Sequence, residues 1–253
     1  MKGSNLMIRT IIILLTVIIF LVGGIPLLLI ETLIGKFNER AMRISSLRID
    51  QFMFGLILWE AGAKVTVIGR ENIPQDQPVL YVSNHRSYFD ILLGYTNVVG
   101  LCGFIAKQEI DRIPLLNCWM RKLYCLFLDR DNLKAGLDTI LKAIDYVKHG
   151  VSIFLCPEGT RNQGEEMLPF KEGGMKIAEK TNCPVVPVAF TGTDNIFENH
   201  IPWVRASRVT IWFGEPIYTA GMERAEKKHL GAKTQEIIRG MLDELKQKEN
   251  GAQ

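Results

Sequence analysis

The sequence predicts an α/β domain: a single, mostly buried sheet flanked by helices, preceded by an N-terminal membrane-embedded helical segment. Three observations carry this expectation. From about residue 63 onward, β-branched apolar runs alternate with stretches of helical periodicity. Several of those runs are continuously apolar, as strands covered on both faces are. Ahead of them lies a charge-free run of 21 residues, Thr10 to Ile30.

Composition narrows the classes further. The chain has 253 residues, 47% hydrophobic and 23% charged, with 22 Gly and 10 Pro, which excludes disordered, collagen-like and low-complexity proteins. A net charge of +3 gives no indication of a nucleic-acid partner. The mean hydropathy of +0.11 is high for a soluble enzyme, and the excess sits in the N-terminal run.

As one helix that run would be roughly 30 Å long, enough to cross a hydrocarbon core. Three readings compete. Lys2 and Arg9 suit the start of a signal peptide, but Leu27 to Glu31 offers no small-residue cleavage site. A single span is the second. The third is a helix embedded in one leaflet and bent at Gly23-Gly24-Ile25-Pro26, where proline removes a backbone donor. Lys36, Arg40 and Arg43 then follow at i, i+4 and i+7, on one helical face if the helix is continuous, and Arg48 comes after them. Phe52 to Trp59 is apolar but too short to span; it suits either a membrane interface or the buried face of a core helix. The excess of basic residues after the run predicts a cell-membrane protein whose bulk lies on the cytoplasmic face. Residues 1–62 are thus expected to be membrane-associated helices and 63–253 the α/β domain.

Seven strands are expected, at Val65 to Ile68, Val79 to Ser83, Gly103 to Ala106, Tyr124 to Leu128, Val151 to Leu155, Val185 to Phe190 and Val209 to Phe213. Helical stretches fall at Leu133 to Val147, Glu172 to Lys180 and Glu223 to Lys248, the last interrupted by Gly231 and Gly240. The five cysteines form no C-x-x-C pair, which suits reduced thiols, and the four histidines show no metal-ligand spacing.

The chemistry gathers where strands end. Ser83-Asn84-His85-Arg86-Ser87-Tyr88-Phe89-Asp90 follows a buried strand. An imidazole can accept a proton near neutral pH, which makes His85 a candidate base. Asp90, five residues on, would stand about 140° away on a regular helix. The two meet only if His85 lies on the turn before a helix and Asp90 in its first turn. On its own this spacing also fits an N-capping turn with a surface histidine. Pro157-Glu158-Gly159-Thr160-Arg161 follows another strand, with a tight loop, a hydroxyl and a guanidinium fork suited to phosphate. Lys107 ends a third. Strand ends bearing His, Lys and Arg point to an anionic substrate beside a general base.

In order along the chain stand Asn84-His85 with Asp90, Lys107-Gln108-Glu109 with Ile113-Pro114, Phe127-Leu128-Asp129-Arg130, Pro157 to Arg161, and Val186-Pro187-Val188-Ala189. Together they resemble the glycerolipid acyltransferases, above all the 1-acyl-sn-glycerol-3-phosphate (lysophosphatidic acid) acyltransferases. The resemblance spans about Val65 to Phe213; Cys156 departs from it, where the family carries a bulky apolar residue. It implies acyl transfer from a thioester of acyl carrier protein or coenzyme A to the sn-2 hydroxyl of lysophosphatidic acid, forming phosphatidic acid for phospholipid synthesis. It further implies that His85 acts as base and Asp90 orients it. Glu158, Gly159, Thr160 and Arg161 would line the acceptor site, Lys107 and Arg161 would hold its phosphate, and Arg130 would add to that cluster. No metal, no further cofactor and no covalent acyl-enzyme are implied; the partners are the lyso-lipid, the thioester carrier and membrane lipids. A relative acting on another lyso-lipid, or a non-catalytic anionic-lipid binder, are the alternatives.

Overall fold

The computed structural model describes residues 2–164 and 166–251; the side chain of Lys2 lies outside the described ones. Three N-terminal helices come first: α1 (Lys2–Ile18), α2 (Ile25–Phe37) and α3 (Glu39–Glu60). The bend expected around Gly23 to Pro26 is present. The helix widens into a π turn over Ile19–Gly23, the Gly24 N–H reaches back to the Phe20 carbonyl, and Pro26 opens α2, where its missing donor costs nothing. Leu6–Gly23 is long and apolar enough to cross a bilayer. One face of α1 packs inward through Ile13 and Val17, and Phe20 stacks on the Trp119 indole at 5.0 Å. Its other face leaves Leu14, Leu15, Ile18 and Ile19 exposed.

The chain turns at Asn38, whose extended backbone ends α2 and whose Oδ1 accepts the Ala41 N–H to cap α3. Lys36 therefore sits on one helix and Arg40 and Arg43 on the next, so the shared basic face expected of a continuous helix does not form. Arg43 is also engaged, pairing with Glu39 and lying 4.1 Å from the Tyr124 ring centre. Phe52 to Trp59 belongs to α3 and divides its residues: Ile57 and Leu58 join the core, while Phe52 and Trp59 face outward.

The α/β part is built on a seven-stranded sheet in the order β1-β7-β6-β2-β5-β3-β4. The strands are β1 (Lys64–Ile68), β2 (Leu80–Ser83), β3 (Cys102–Lys107), β4 (Leu126–Leu128), β5 (Ser152–Leu155), β6 (Val185–Thr191) and β7 (Arg208–Phe213). All seven fall where the apolar runs predict. β6, β2, β5, β3 and β4 run parallel, while β7 is antiparallel to β6 and carries β1 parallel to itself. β1 is an edge strand with Val65 and Val67 exposed, unlike the buried strands its composition resembles.

Alternation along the strands divides the core in two. Tyr81, Phe154, Phe190 and Phe213 face α3 and α4 (Phe89–Asn97), whereas Leu80, Val82, Ile153 and Leu155 face α6 (Leu133–Lys148), α7 (Lys176–Thr181) and α9 (Leu230–Gly251). Two shorter helices, α5 (Leu116–Lys122) and α8 (Arg224–Lys227), complete the set. α4 approaches closely because Gly94 has no side chain: a Cβ there would lie 2.8 Å from the Phe104 ring, itself stacked on Phe154 at 4.4 Å.

Two helices are shorter than their periodicity suggests, for one reason. Glu172 does not join a helix beginning there; its carboxylate accepts the Gly231 and Ala232 N–H groups and caps α9. α7 begins only at Lys176, and the expected Glu223 to Lys248 helix divides into α8 and α9 before Leu230.

Between the N-terminal helices lies a buried acidic pair. Glu31 of α2 accepts from Ser45 Oγ at 2.6 Å and Ser46 Oγ at 3.2 Å on α3. Asp50 is buried with its Oδ2 unpartnered. Burial, with a smaller contribution from Glu31, pushes the Asp50 carboxyl up to about 8. The folded chain then retains a proton that the unfolded chain, with an aspartate near 3.9, releases. Stability should therefore fall as pH rises from about 4 to about 8 and be unaffected by this group below that window. Asp50→Asn should flatten that slope in thermal unfolding of detergent-solubilised protein; an unchanged slope refutes the assignment.

Candidate active site

β2, β5 and β3 are neighbours and parallel, so their carboxyl ends bring His85, the 157–161 loop and Lys107 to one edge of the sheet. Asn84 fixes the first of these. Its amide bonds both ways to the Phe190 backbone on β6, accepting its N–H at 2.8 Å and donating to its carbonyl at 3.0 Å. The chain then turns, and Ser87 Oγ accepts the Phe89 N–H as α4 begins.

Asp90 is the second residue of α4, and its buried carboxylate faces back into that turn. One oxygen, Oδ2, meets three nitrogens: His85 Nδ1 at 2.9 Å, Arg86 N at 2.7 Å and Ser87 N at 2.8 Å. The two backbone donors keep the carboxylate in place, and as an acceptor it takes the proton on Nδ1 in a hydrogen bond. Nε2 of the neutral imidazole is then left with its lone pair. The His85 side chain is partly exposed, so that nitrogen can be approached. This is the turn-before-helix arrangement that the five-residue spacing requires, and not a surface histidine on a cap.

Glu158 is buried and faces His85 from the neighbouring strand end. Its Oε1 accepts the His85 backbone N–H at 2.8 Å, and its Oε2 accepts from Leu168 N at 2.9 Å and Asn162 Nδ2 at 3.3 Å. Burial raises its pKa, against the lowering effect of those bonds. Both oxygens are thus used in fastening the histidine turn to the 157–168 loop. Gly159 turns that loop with φ +77°, and the Lys171 side chain packs over it.

Arg161 lies over the Tyr88 ring at 3.7 Å and donates Nη1 to Glu198 Oε1 at 3.1 Å. The same oxygen accepts the Tyr88 N–H at 2.9 Å. Arg86 is held by Asp194 at 2.7 Å and by the Gly164 carbonyl at 2.7 Å. The segment after β6 therefore braces both arginines. Sequence reasoning missed Asp194 and Glu198, which stand in no motif; the only signal was two carboxylates following a buried strand on the side where ligands gather.

The other candidates sit further out. Lys107 pairs with Glu109 at 2.6 Å, both exposed. Thr160 and Arg130 are exposed. Arg130 and Gly159 both line a neighbouring trench. Cys156 lies beneath the loop with its sulfur 3.4 Å from Ser83 Oγ, and burial pushes its thiol up to about 12, so it is held in the unreactive form.

The acyltransferase family profile matches residues 64–191, from β1 through β6. A 1-acyl-sn-glycerol-3-phosphate acyltransferase of Borreliella burgdorferi is 31% identical over 189 residues, 75% of this chain and 76% of that one. The chain belongs to the acyltransferase family. An enzyme of the same description from Saccharomyces cerevisiae is 30% identical over 228 residues, 88% of this acyltransferase and 72% of its own length. The crystal structure of the 1-acyl-sn-glycerophosphate (LPA) acyltransferase PlsC from Thermotoga maritima superposes with a TM-score of 0.83 at 27% identity, covering 97% of this acyltransferase and 98% of that chain. The likeness thus extends over the N-terminal helices as well as the sheet.

The Glu158 contacts make a prediction about the acyltransferase scaffold. All three partners of its carboxylate are donors, so an amide at this position sets an N–H against another N–H. Glu158→Gln should cost about 1–3 kcal/mol in denaturant unfolding. Stability equal to wild type would show that the carboxylate does not fasten the loop.

Proposed function

We propose that this chain is a 1-acyl-sn-glycerol-3-phosphate acyltransferase, moving a fatty acyl group from a thioester to the sn-2 hydroxyl of lysophosphatidic acid. The observation that carries the reading is the His85–Asp90 pair at 2.9 Å, beside an arginine, at the strand ends of a family member. The relatives' names support the acceptor.

The sn-2 hydroxyl approaches His85 Nε2. The O–H bond breaks as its proton passes to the imidazole, and the oxygen bonds to the thioester carbonyl carbon. Asp90 stabilises the imidazolium so formed. Collapse breaks the C–S bond, and the departing thiolate takes the proton from Nε2, returning His85 to its neutral state. The products are phosphatidic acid and the free thiol of the carrier. A positioned base of this kind contributes a factor of about 10²–10⁴. The donor is acyl carrier protein or coenzyme A, and no other cofactor takes part.

Arg161 holds the acceptor phosphate, its guanidinium kept flat by Tyr88 and aimed by Glu198. Lys107 exchanges Glu109 for the same anion, and Arg130 adds positive charge at the rim. Gly159 allows close approach, Thr160 offers a hydroxyl to the glycerol, and Glu158 acts on the acceptor only by fixing His85. The exposed apolar faces of α1 and α2 lie in one leaflet of the cell membrane on its cytoplasmic side, bent at the π turn, so that a lipid acceptor reaches His85 without leaving the bilayer.

His85→Ala should lower thiol release by at least about 10²-fold with folding retained by circular dichroism. Near-normal turnover by that variant sinks the role of base. Arg161→Ala should raise KM for lysophosphatidic acid by about tenfold or more and affect a phosphate-free monoacylglycerol far less. An equal effect on both acceptors removes the phosphate contact.

A further inference from the structure

The catalytic turn borders a second feature that the chemistry above uses only at its near end, through Gly159 and Arg130. An open trench of about 730 Å³ runs between α6 on one side and the 171–180 segment with α7 on the other. Its near end is formed by Cys156, Pro157 and Gly159, the loop whose Glu158 carboxylate holds the His85 N–H. Its α6 wall presents Leu133, Leu137 and Leu141, at 91%, 57% and 53% exposure, with Ile140 and Ile144 deeper. Three leucines at i, i+4 and i+8 left in solvent on a helix of sixteen residues form an unpartnered apolar stripe.

The rim is cationic along its whole length. Arg130 stands at the catalytic end, Lys171, Lys176 and Lys180 on the far wall and Lys148 at the other end of α6; Asp129 is the one carboxylate among the lining residues. Of these cations only Lys176 has an ion-pair partner among the described residues, Glu179.

We propose that this trench docks an acidic carrier protein bearing the acyl thioester, an apolar helix face of the carrier lying along the leucine stripe. The inference rests on the acyl-transfer reading and names the donor within it. Two features favour a protein over the other occupants. The cations are spread around the trench, from Arg130 just before α6 to Lys148 at its last residue and Lys171, Lys176 and Lys180 on the opposite wall, beside a helix about 24 Å long, which matches an elongated partner and not the compact charge of a nucleotide. The leucines have the spacing by which one helix packs on another. A membrane is the other candidate for an apolar, basic surface. However, the stripe lies on the sheet face of Ile140 and Ile144, whereas the apolar helix α1 packs through Ile13 and Val17 on the opposite face. The trench is also concave, walled on both sides by lysines. Charge complementarity would steer the carrier onto the rim, and the leucines would hold it with its thioester toward Gly159.

The test uses full-length protein in detergent, with an acyl-carrier-protein thioester and the matching coenzyme A thioester as probes. Binding of fluorescently labelled carrier protein is measured by anisotropy, and thiol release is measured separately with each donor. The variants are Lys148→Glu with Lys180→Glu, and Leu137→Ser. Carrier binding should weaken with salt and by about tenfold or more in the double variant. The ratio of KM for the carrier-protein thioester to KM for the coenzyme A thioester should rise by a similar factor. Leu137→Ser should raise the same ratio, keeping the conclusion independent of charge reversal. No carrier binding by wild type, or unchanged binding in all variants, overturns the proposal. An equal rise in KM for both donors overturns it in favour of a nucleotide on the rim. Loss of binding to anionic vesicles with an unchanged KM ratio overturns it in favour of a lipid surface. Wild type that binds the carrier yet releases no thiol from either donor keeps the docking surface and removes acyl transfer.

Discussion

A single carboxylate oxygen governs the candidate active site. Asp90 Oδ2, on a buried side chain, gathers one imidazole nitrogen and two backbone N–H groups. Without that carboxylate the turn from His85 to Ser87 would leave two backbone donors unpaired, the buried Ser87 N–H alone costing about 1–3 kcal/mol. The histidine would also lose the partner that decides its tautomer. Folding and site geometry therefore make the same demand on Asp90, since the bonds that shape the turn also orient the imidazole.

Around this point the structure is a set of strand ends tied to one another. Asn84 joins β2 to β6, Glu158 joins the histidine turn to the loop after β5, and Asp194 and Glu198 bring in the segment after β6. Each tie is a buried or half-buried acid or amide meeting backbone or guanidinium donors, the kind of contact that is costly to leave half-made. The site has few independent parts.

Much of this was legible in the sequence because it depends on local rules. Seven apolar runs became seven strands, and the spacing of His85 and Asp90 could be turned into a specific turn-and-helix geometry. What escaped depends on contacts remote in sequence. Glu172 reads as the start of a helix by periodicity, yet it caps another helix some sixty residues away. Lys36, Arg40 and Arg43 share a face only if Asn38 is ignored as a cap. Asp194 and Glu198 look like surface acids until the arginines they hold are placed beside them. Glu158 reads as a free ligand until both of its oxygens are seen to be in use.

The join between α3 and α4 has a mechanical meaning. Gln51 donates to the Tyr95 carbonyl at 2.9 Å, Phe54 lies 5.5 Å from the Tyr95 ring, and Leu47, Ile57 and Leu58 enter the same core as Tyr81 and Phe154. α4 carries Asp90, and α3 packs against both α2 and α4, so the N-terminal helices and the imidazole belong to one continuous packed body. The placement of those helices and the placement of the histidine are thereby set together, by side-chain packing and not by a tether.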